Sequence, residues 1–499
     1  VRGTVFEVET GDESETTVKT HEGAVAVMEK TTQKEVLVEG GKQTKASKGS
    51  PPETPQPIVE PEKEEEKEPE KEEKREQEKQ EKIEPEQETK QPEKEEVAEK
   101  ESKKILTAVN GSIGADVLSD PDNPGEQKIY YNLSLAPVFS FWKFNIGLNF
   151  ELYFDEEGNV REQQWDEWDD MIEKIQFIEF GNPEDPFSVL LGGLDSYSLG
   201  HGFVVRRYTN MLNYPDIKRI GTRLNLNFAK TGMESFVSDI EEFSVFGSRL
   251  YYKPFETSGI PIVKDLEFGG SFVSDINPDQ IDDTDDGVYF YGGDIEIGLF
   301  DNFGLSSSLY ADYVTYSMGP DYDFSDYGSG KVVGLGGDII SLIDYNFEYR
   351  RIDNNFVPAY FNTFYQINRS TRPSSLTRKQ TPEREGPYIK LGTNLFDAVE
   401  FSFAYENYNG GKIEGYPYLH GNLIISPALT MNKVGIKVSY DKEDVFSFDD
   451  FKELNGAVMT TEISYAISPT VNLIIVNRQT YDQDGEPTRT MSLRTGFIF

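Results

Sequence analysis

The feature that most constrains this chain is a two-residue alternation of apolar and polar side chains along residues 105–499. In the segment WKFNIGLNFELYF, residues 142–154, every even position from Trp142 to Phe154 is apolar, and every odd position before Tyr153 is polar or glycine. Successive side chains of a β-strand point to opposite faces, so this pattern predicts a strand with one apolar face. About twenty such segments follow one another, most of roughly 9 to 13 residues, and the chain is therefore predicted to be all-β.

The apolar face of these segments must lie against either a protein core or lipid. Strands of soluble proteins average about 5 to 6 residues, whereas a tilted membrane strand needs about 9 to 11. The polar faces carry Asn, Gly, Ser, Lys, Arg and Glu, a composition that suits a water-filled lumen. Segment length and polar-face composition therefore favour a membrane barrel over a soluble β-sandwich.

The connections between the segments alternate between short and long. Short connections include NPEDP at residues 182–186 and SPT at residues 468–470, and a long polar one is DEEGNVREQQWDEWDD at residues 155–170. This alternation is typical of an outer-membrane barrel with tight periplasmic turns and larger extracellular loops. We therefore predict a large antiparallel transmembrane β-barrel over residues 105–499. About 20 strands are expected, with about 18 as the alternative, and residues 341–384 hold either one long strand or a hairpin.

The last residues, RTMSLRTGFIF, continue the alternation to the end of the sequence. A final strand that ends on Phe499, with Phe497 on the same face, resembles the closing strand and assembly signal of bacterial outer-membrane proteins. Two residues depart from the pattern: Thr495 is a polar residue on the apolar face, and Ile498 is an apolar residue on the polar face. The resemblance implies the barrel-assembly machinery as a partner, and an even strand number would put both ends of the barrel in the periplasm.

Composition excludes several classes of function. The formal net charge is -40, and nucleic acid is therefore not an expected partner, because binding it needs a basic surface. The sequence contains 0 Cys, which excludes disulfides, cysteine-ligated metal and a cysteine nucleophile. The sequence has no run of about 18 apolar residues, and we therefore predict no transmembrane helix. The opening VRGTVFEVET lacks an initiator Met, from which we expect a processed or trimmed product.

Composition also divides the chain into three zones. Residues 1–49 read as short strands with glycine-containing turns and predict a small β module. Residues 50–104 are rich in Glu, Lys, Pro and Gln, with 20 Glu, 10 Lys or Arg and 8 Pro between residues 51 and 100. Such a segment has almost nothing to bury, so we predict a disordered, extended linker with a reach on the order of 150 Å. Residues 105–499 form the third zone, the barrel.

The N-terminal zone resembles the FecR family of periplasmic domains, in part and over about a tenth of the chain. The matching residues are Val1, Arg2, Gly3, Thr4, Phe6, Val8, Thr17, Val18, Glu22, Gly23, Val25, Val27, Leu37, Gly40, Gly41 and Gln43. The resemblance implies a β-rich periplasmic module that binds a periplasmic protein or a cell-wall partner. The stretch LGGLDSYSLGHGF, with VVRRYTNML after it, also looks like uncharacterised barrels found beside such domains, and this implies no particular substrate.

Few residues suggest chemistry. The chain has 3 His, and His201 lies near Ser196 and Ser198 in DSYSLGHGF. Serine and histidine are the residue types of a hydrolase nucleophile and base, but their spacing matches no catalytic motif, and we predict no enzyme and no cofactor. Several acidic loop residues offer oxygen ligands for Ca²⁺; without EF-hand spacing they read as solvated surface charge, and no metal site is predicted. They are Asp282, Asp283, Asp285, Asp286, Asp482 and Asp484.

Two groups of basic residues stand out against the acidic background. A barrel of about twenty strands leaves a wide aqueous hole unless loops narrow it, and we hypothesise that residues 198–215 and 369–384 fold inward as a constriction. Rings of arginine in a pore favour anions. The alternative is that these side chains belong to outer loops that meet anionic lipid head groups, or are ordinary surface charge. The candidate constriction residues are Arg206, Arg207, Arg219, Arg223, Arg350, Arg351, Arg372 and Arg378, and the same groups also contain Lys218, Arg369, Lys379 and Arg384.

Two functions follow from this interpretation. The first is an outer-membrane channel or porin for small hydrophilic solutes, with a possible preference for anions and a periplasmic interaction arm. The second is a structural anchor in the outer membrane, which tethers a periplasmic or cell-wall partner through the N-terminal module. An open lumen favours transport, and a plugged lumen favours tethering.

Overall fold

The computed structural model divides the chain into two compact units, Val1–Val97 and Ala98–Phe499. In the first unit it describes residues 5–10, 15–22, 24–29, 34–39, 42–47 and 56–57. In the second unit it describes residues 106–120, 127–161, 165, 170–212, 214, 217–281, 283–302, 304–340, 342–353, 355–377, 383–410, 415–481 and 487–498. Most of the segment predicted to be a disordered linker, residues 58–104, lies outside the described residues.

The described part of the first unit consists of short strands. They are β1 (Val5–Thr10), β2 (Glu15–Glu22), β3 (Ala24–Glu29), β4 (Lys34–Glu39), β5 (Lys42–Ser47) and β6 (Gln56–Pro57). Strands β1, β2, β5 and β6 form one antiparallel sheet in that order, and β3 pairs with β4 in a second. This unit is therefore β-structured.

The second unit is one large antiparallel sheet that closes on itself. Its strands are β7 (Leu106–Ser119), β8 (Gln127–Phe141), β9 (Phe144–Leu148), β10 (Phe150–Phe154), β11 (Ile175–Phe180), β12 (Phe187–Gly192), β13 (Gly221–Asn227), β14 (Thr231–Val237), β15 (Val245–Tyr252), β16 (Leu266–Asp275), β17 (Val288–Asn302), β18 (Leu305–Met318), β19 (Ser329–Ile339), β20 (Ile343–Ile352), β21 (Arg384–Leu395), β22 (Val399–Glu406), β23 (Tyr418–Ile425), β24 (Val434–Lys442), β25 (Ala457–Ser468), β26 (Val471–Tyr481) and β27 (Pro487–Ile498). Each strand pairs with the next, except that β9 and β10 both pair with β8 and not with each other, and β27 pairs with β7 to close the ring.

The barrel has 20 strands around its ring, which confirms the predicted large antiparallel transmembrane barrel of about 20 strands. Strands β9 and β10 occupy one place, because both pair with β8 in the same register. Their interruption at Asn149 lies opposite the part of β8 that contains Pro137, which has no N–H to donate to the ladder. The predicted strand over residues 142–154 is thus present with two changes. It begins at Phe144, because Trp142 adopts a positive φ of 53° in the preceding turn.

Connections alternate in length around the ring, and the two ends of the barrel therefore differ. At the turn end, connections are short, as at residues 142–143, 303–304, 396–398 and 469–470. At the loop end they are longer, as at residues 155–174, 193–220, 353–383 and 443–456. An exception at the turn end is residues 253–265, which contain a 3₁₀ turn at Val263–Asp265.

Helices are short in the described residues and lie in the connections between strands. They are α1 (Asp170–Glu173), α2 (Tyr365–Asn368), α3 (Ser374–Thr377) and α4 (Phe448–Lys452), with further 3₁₀ turns at Pro320–Tyr322 and Pro427–Thr430. None of the described helices is long and apolar enough to cross a membrane. The region left open as one strand or a hairpin, residues 341–384, contains the strand β20 followed by a long loop with α2 and α3.

The outer face of the barrel is apolar along the middle of its strands. Leu250 is 60% exposed and Val333 is 57% exposed, and Leu133, Leu391 and Ile463 are also exposed. Aromatic side chains flank this band at both ends. At the turn end the contacts join Phe141, Trp142, Phe144, Phe180 and Phe187, and at the loop end they join Phe243, Phe246, Phe272 and Tyr291. An apolar band between two aromatic girdles is the surface that a membrane barrel presents to lipid.

Candidate pore and its constriction

Two loops from the loop end enter the barrel and contact each other there. Residues 193–220 follow β12, and residues 353–383 follow β20. Val205 forms a parallel bridge with Phe361, the N–H of Arg206 donates to the carbonyl of Phe361 (2.9 Å), and the N–H of Ala359 donates to the carbonyl of Phe203 (2.8 Å). The two loops therefore form one body, which we call the plug.

The plug is held in the loop-end half of the lumen by an apolar core. Tyr360, Phe361 and Tyr365 are fully buried. The ring of Phe290, which faces inward from β17, lies 4.9 Å from the ring of Tyr360 and 5.8 Å from that of Phe361, measured between centroids. Further inward-facing wall residues belong to the same core, among them Val273, Val314, Tyr316, Val332 and Ile352. Such packing excludes water from the contact between the plug and these wall residues.

Polar contacts fix the plug to the wall. The side chain of Arg369 donates to both carboxylate oxygens of Asp275, over 2.7 and 3.1 Å, and the hydroxyl of Tyr365 donates to the same carboxylate over 2.7 Å. Asp275 and Arg369 are both buried. A bidentate arginine–carboxylate pair constrains geometry as well as charge, so it sets the position of residues 353–383 against β16.

The predicted arginines Arg206 and Arg350 meet at one buried carboxylate. Arg206 pairs with Glu406, and Arg350 donates to Glu406 (2.6 Å) and to Glu348 (2.6 Å). The ring of Tyr388 lies below both guanidinium groups, at 4.6 Å from Arg206 and 4.4 Å from Arg350. Two arginines and two carboxylates thus balance one another. This arrangement places loop 193–220 against β20, β21 and β22.

Arg207 lies beside this group and faces the open part of the lumen. Its guanidinium forms an ion pair with Asp441 and donates to the hydroxyl of Tyr418 over 2.6 Å. Its backbone adopts a positive φ of 50°, and its guanidinium lies 5.6 Å from the centre of the Tyr418 ring. Arg207 therefore presents a paired cation at the boundary between the plug and the lumen below it.

The structure does not bring all the predicted arginines together. Arg372 lies in the plug near Glu443 (3.6 Å), and Arg219 lies 3.9 Å from Asp239 at the other end of loop 193–220. Arg223 is on β13, directly opposite Leu190 and Phe236 in the ladder. Paired residues share a face, and these two point inward, so Arg223 faces the lumen. Arg351 is exposed on the outer face, where it pairs with Glu383. Arg378 and Lys379 lie outside the described residues.

His201 joins the plug to a second charged network, on the neighbouring strands β17 and β18. Gly200 and Gly202 flank it with positive φ angles of 54° and 79°, which glycine adopts readily. Nδ1 of His201 lies 2.7 Å from Asp312, and Nε2 lies 3.4 Å from Glu296. Burial disfavours the charged imidazole, but these hydrogen bonds outweigh burial and raise the pKa of His201 to about 10. His201 is therefore a cation at neutral pH.

Arg249 completes this network. It donates to Asp294 over 3.0 and 2.6 Å, to Glu267 over 2.6 Å and to Glu234 over 3.2 Å. Ligand atoms of His201, Asp294 and Asp312 lie within 4.8 Å of one another, a spacing that could hold a metal ion. Because Arg249 already neutralises Asp294 through two hydrogen bonds, we interpret the group as an ion-pair network.

Two cavities occupy the turn-end half of the lumen. The larger has a volume of about 930 Å³, and its lining includes Ser308, Asn346, Lys390 and Ser402. The second has a volume of about 700 Å³, with Glu179, Lys437 and Glu462 in its lining. Seven residues line both, and the cavities therefore adjoin: Asp195, Ser196, Arg207, His420, Asn422, Ile424 and Ser439. Polar side chains from the wall face both spaces.

The closing strand carries the predicted assembly signal. Phe497 on β27 lies opposite Val471 of β26 and Gly111 of β7, and Phe499 lies outside the described residues. On the inner face of the same strand, Arg494 pairs with Asp116 (2.6 Å) and Glu151 (3.1 Å). The seam between the first and last strands is thus secured by backbone pairing and by ion pairs.

No model of a known family matches the chain, and no curated protein sequence matches it. Solved barrels resemble it over most of its length. OpdL of Pseudomonas aeruginosa is 11% identical over 79% of this chain and 98% of that one, with a TM-score of 0.32. OccK2 (OpdF) of Pseudomonas aeruginosa in complex with glucuronate is 7% identical over 79% and 97%, with a TM-score of 0.31. Wzi, a carbohydrate-binding barrel of group 1 capsule assembly in Escherichia coli, is 11% identical over 80% and 85%, with a TM-score of 0.32. At these TM-scores the likeness carries no argument about function.

Proposed function

We propose that this protein is a narrow outer-membrane channel for small hydrophilic solutes. The observation that carries the proposal is the pair of adjoining cavities, about 930 and 700 Å³ and lined in part by charged and polar side chains, that lead from the turn end to the plug. Volumes of this order suit a small solute. The plug then acts as the constriction and gate, because a solute must pass between its loops and the wall.

The charged residues near the plug determine whether the channel prefers anions or cations. Rings of arginine in a pore favour anions. An anion preference is therefore supported by Arg206, Arg207 and Arg350. Their partners Glu406, Glu348 and Asp441 offset this charge at close range. We therefore expect a weak anion preference. Reversal potentials in a salt gradient test it, and a strong preference for cations would contradict it.

We do not propose a catalytic function for His201 and the neighbouring serines. Both ring nitrogens of His201 are engaged by carboxylates, Asp312 and Glu296. The imidazole is also stacked on Tyr310 with 3.8 Å between ring centroids. A cationic histidine held in this way cannot act as the general base for a serine nucleophile at neutral pH.

Single-channel recording of the full chain in a planar bilayer tests the channel. We expect small steps, well below a nanosiemens, because the plug narrows the loop-end half of the lumen. A membrane that stays silent, with protein that circular dichroism and gel mobility show to be a folded barrel, would contradict transport.

The second candidate is a structural anchor, and the apolar core of the plug favours it. A lumen that is closed at the loop end carries no solute, and the barrel would then hold the N-terminal unit in the periplasm. Co-sedimentation of the full chain with isolated cell walls, lost on removal of residues 1–49, would support the anchor. The FecR-like character of that unit stays a prediction.

The proposed location follows from the same surfaces. The lipid-facing band with its two girdles suits the outer membrane, the turn end would face the periplasm, and the barrel-assembly machinery would recognise the strand that carries Phe497 and Phe499. Fractionation of cells that express the full chain tests the location directly.

A further inference from the structure

An apolar groove lies outside the lumen, on the lipid-facing wall near the loop end. It has a volume of about 820 Å³. One side is the outer face of β22 to β25, and the other is the loop of residues 443–456. Its lining includes Phe401, Leu423 and Val438 from the wall and Phe448 and Leu454 from the loop.

The groove exists because a glycine interrupts a row of large side chains. Gly421 on β23 lies opposite Phe403 of β22 and Tyr440 of β24. A Cβ placed on Gly421 would meet no atom within 4 Å. The space above this glycine is therefore open and flanked by two aromatic side chains.

The loop overhangs the groove in a defined conformation. Helix α4 begins with a capping box in which Ser447 and Asp450 satisfy each other's backbone N–H groups. The ammonium of Lys442 donates to the carbonyls of Asp450 and Glu453 over 2.5 Å each, which ties the loop to the end of β24. Phe446 is nevertheless 61% exposed and Phe448 is 71% exposed.

A lipid acyl chain is the occupant that fits this setting. The groove continues the apolar outer band, so hydrocarbon already surrounds it. A second barrel has a convex wall that cannot enter the space between the strands and the overhanging loop, whereas a single acyl chain can. Phenylalanine side chains that are exposed beside the band gain by contact with hydrocarbon.

We propose that this groove is a binding site for one acyl chain of a bilayer lipid, held between the wall at Gly421 and the aromatic side chains of loop 443–456. The bound lipid would belong to the leaflet at the loop end. Its recognition depends on the chain and not on the head group, because the lining is apolar. This site is independent of the channel.

Native mass spectrometry of the full chain in mild detergent, titrated with phosphatidylglycerol or phosphatidylethanolamine, tests the site. We expect one retained lipid per chain with either head group. Gly421→Leu fills the groove and should weaken retention roughly tenfold, the change that follows from losing the burial of about two methylene groups. The matched control is Gly270→Leu, which also faces outward, opposite Leu250 on the neighbouring strand, and where an added Cβ would meet only the carbonyl oxygen of Gly292, at 3.9 Å; it should leave retention unchanged.

A second variant and a second readout keep the test decisive. If Gly421→Leu does not fold, Phe446→Ser with Phe448→Ser changes only the loop and should also lower retention. Photoactivation of a phosphatidylcholine with a diazirine near the end of its acyl chain should label peptides from residues 399–459. The proposal is overturned if no lipid is retained, if all variants retain it equally, or if the label lies elsewhere on the barrel.

Discussion

The two halves of the lumen share the same strands but have opposite interiors. Along β18 the inward-facing side chains run from Ser308 near the turn end, through Asp312 in the middle, to Val314, Tyr316 and Met318 near the loop end. The first part lines a cavity of about 930 Å³, and the second packs against the plug. One alternating strand can therefore line a polar cavity over part of its length and a closed apolar core over the rest. The change depends on which residues occupy the inward positions, and the loops fill the apolar half.

Removal of the second plug loop should have the largest effect on this difference. Replacement of residues 354–382 by a short Gly-Ser turn takes away Tyr360, Phe361 and Tyr365, and the loop-end half should then fill with water. Conductance should rise from well below a nanosiemens into the nanosiemens range, since barrels of 16 to 18 strands already leave an aqueous channel. Shortening of the loop within residues 446–454, which line the outer groove and leave the plug partner Glu443 in place, is the control and should leave the conductance unchanged.

Loss of the carboxylate shared by two arginines should have the next largest effect. Glu406→Gln leaves Arg206 and Arg350 without a full counter-charge in a buried site. Removal of one partner of a buried pair costs about 3 to 5 kcal/mol. Urea unfolding should show this loss, whereas Glu400→Gln, at an exposed residue in the cavity lining, should have little effect. Equal unfolding midpoints for both variants would contradict the role of the cluster.

A smaller loss of stability is expected where the hydroxyl of a plug residue contacts the barrel wall. Tyr365→Phe removes the hydrogen bond to Asp275 but keeps the ring in the core. A hydrogen bond to a charged group contributes about 1.5 to 3 kcal/mol, and urea unfolding should reveal a decrease in this range. Tyr313→Phe is the matched control, because Tyr313 is exposed on the outer face of the barrel. If the control loses as much stability, the contact is not specific to the plug.

The last expected effect is a dependence of stability on pH. The pKa of His201 is raised from 6.5 to about 10. A raised histidine pKa stabilises the fold fully below 6.5, and this contribution declines as pH rises and is lost above about 10. The difference in unfolding free energy between wild type and His201→Gln should therefore shrink between pH 7 and pH 10. A difference that grows with pH would contradict a charged His201 in the plug.

The barrel could be predicted from the sequence because each strand carries its own evidence. Period-two alternation from Val399 to Glu406, for instance, is local, and it survives in the structure as β22. The turn at Trp142 could not be predicted in this way, because the segment alternates through it. Its position depends on pairing with β8 and on ring contacts with Phe180 across the next hairpin.

The plug could be predicted only in part. The arginines marked the two loops, but the core residues Phe356, Tyr360, Phe361, Phe364 and Tyr365 recur at spacings of a helix and not of a strand. That spacing indicated that these side chains form one apolar surface. Its partners were not predictable, because the contact between Val205 and Phe361 joins residues far apart in the chain. Glu406 illustrates the same limit, since it looks like any polar-face residue until the fold brings Arg206 and Arg350 to it.

The most direct test of the central claim is the accessibility of single cysteines to a membrane-impermeant maleimide, because the chain contains 0 Cys. Ser402→Cys lies in the lining of the larger cavity, and Val332→Cys lies in the core around the plug. In proteoliposomes with the turn end exposed to reagent, Cys at position 402 should react quickly, and Cys at position 332 should react only after unfolding. Equal and rapid reaction at both positions, or protection at position 402, would contradict a polar turn-end half closed by an apolar loop-end half.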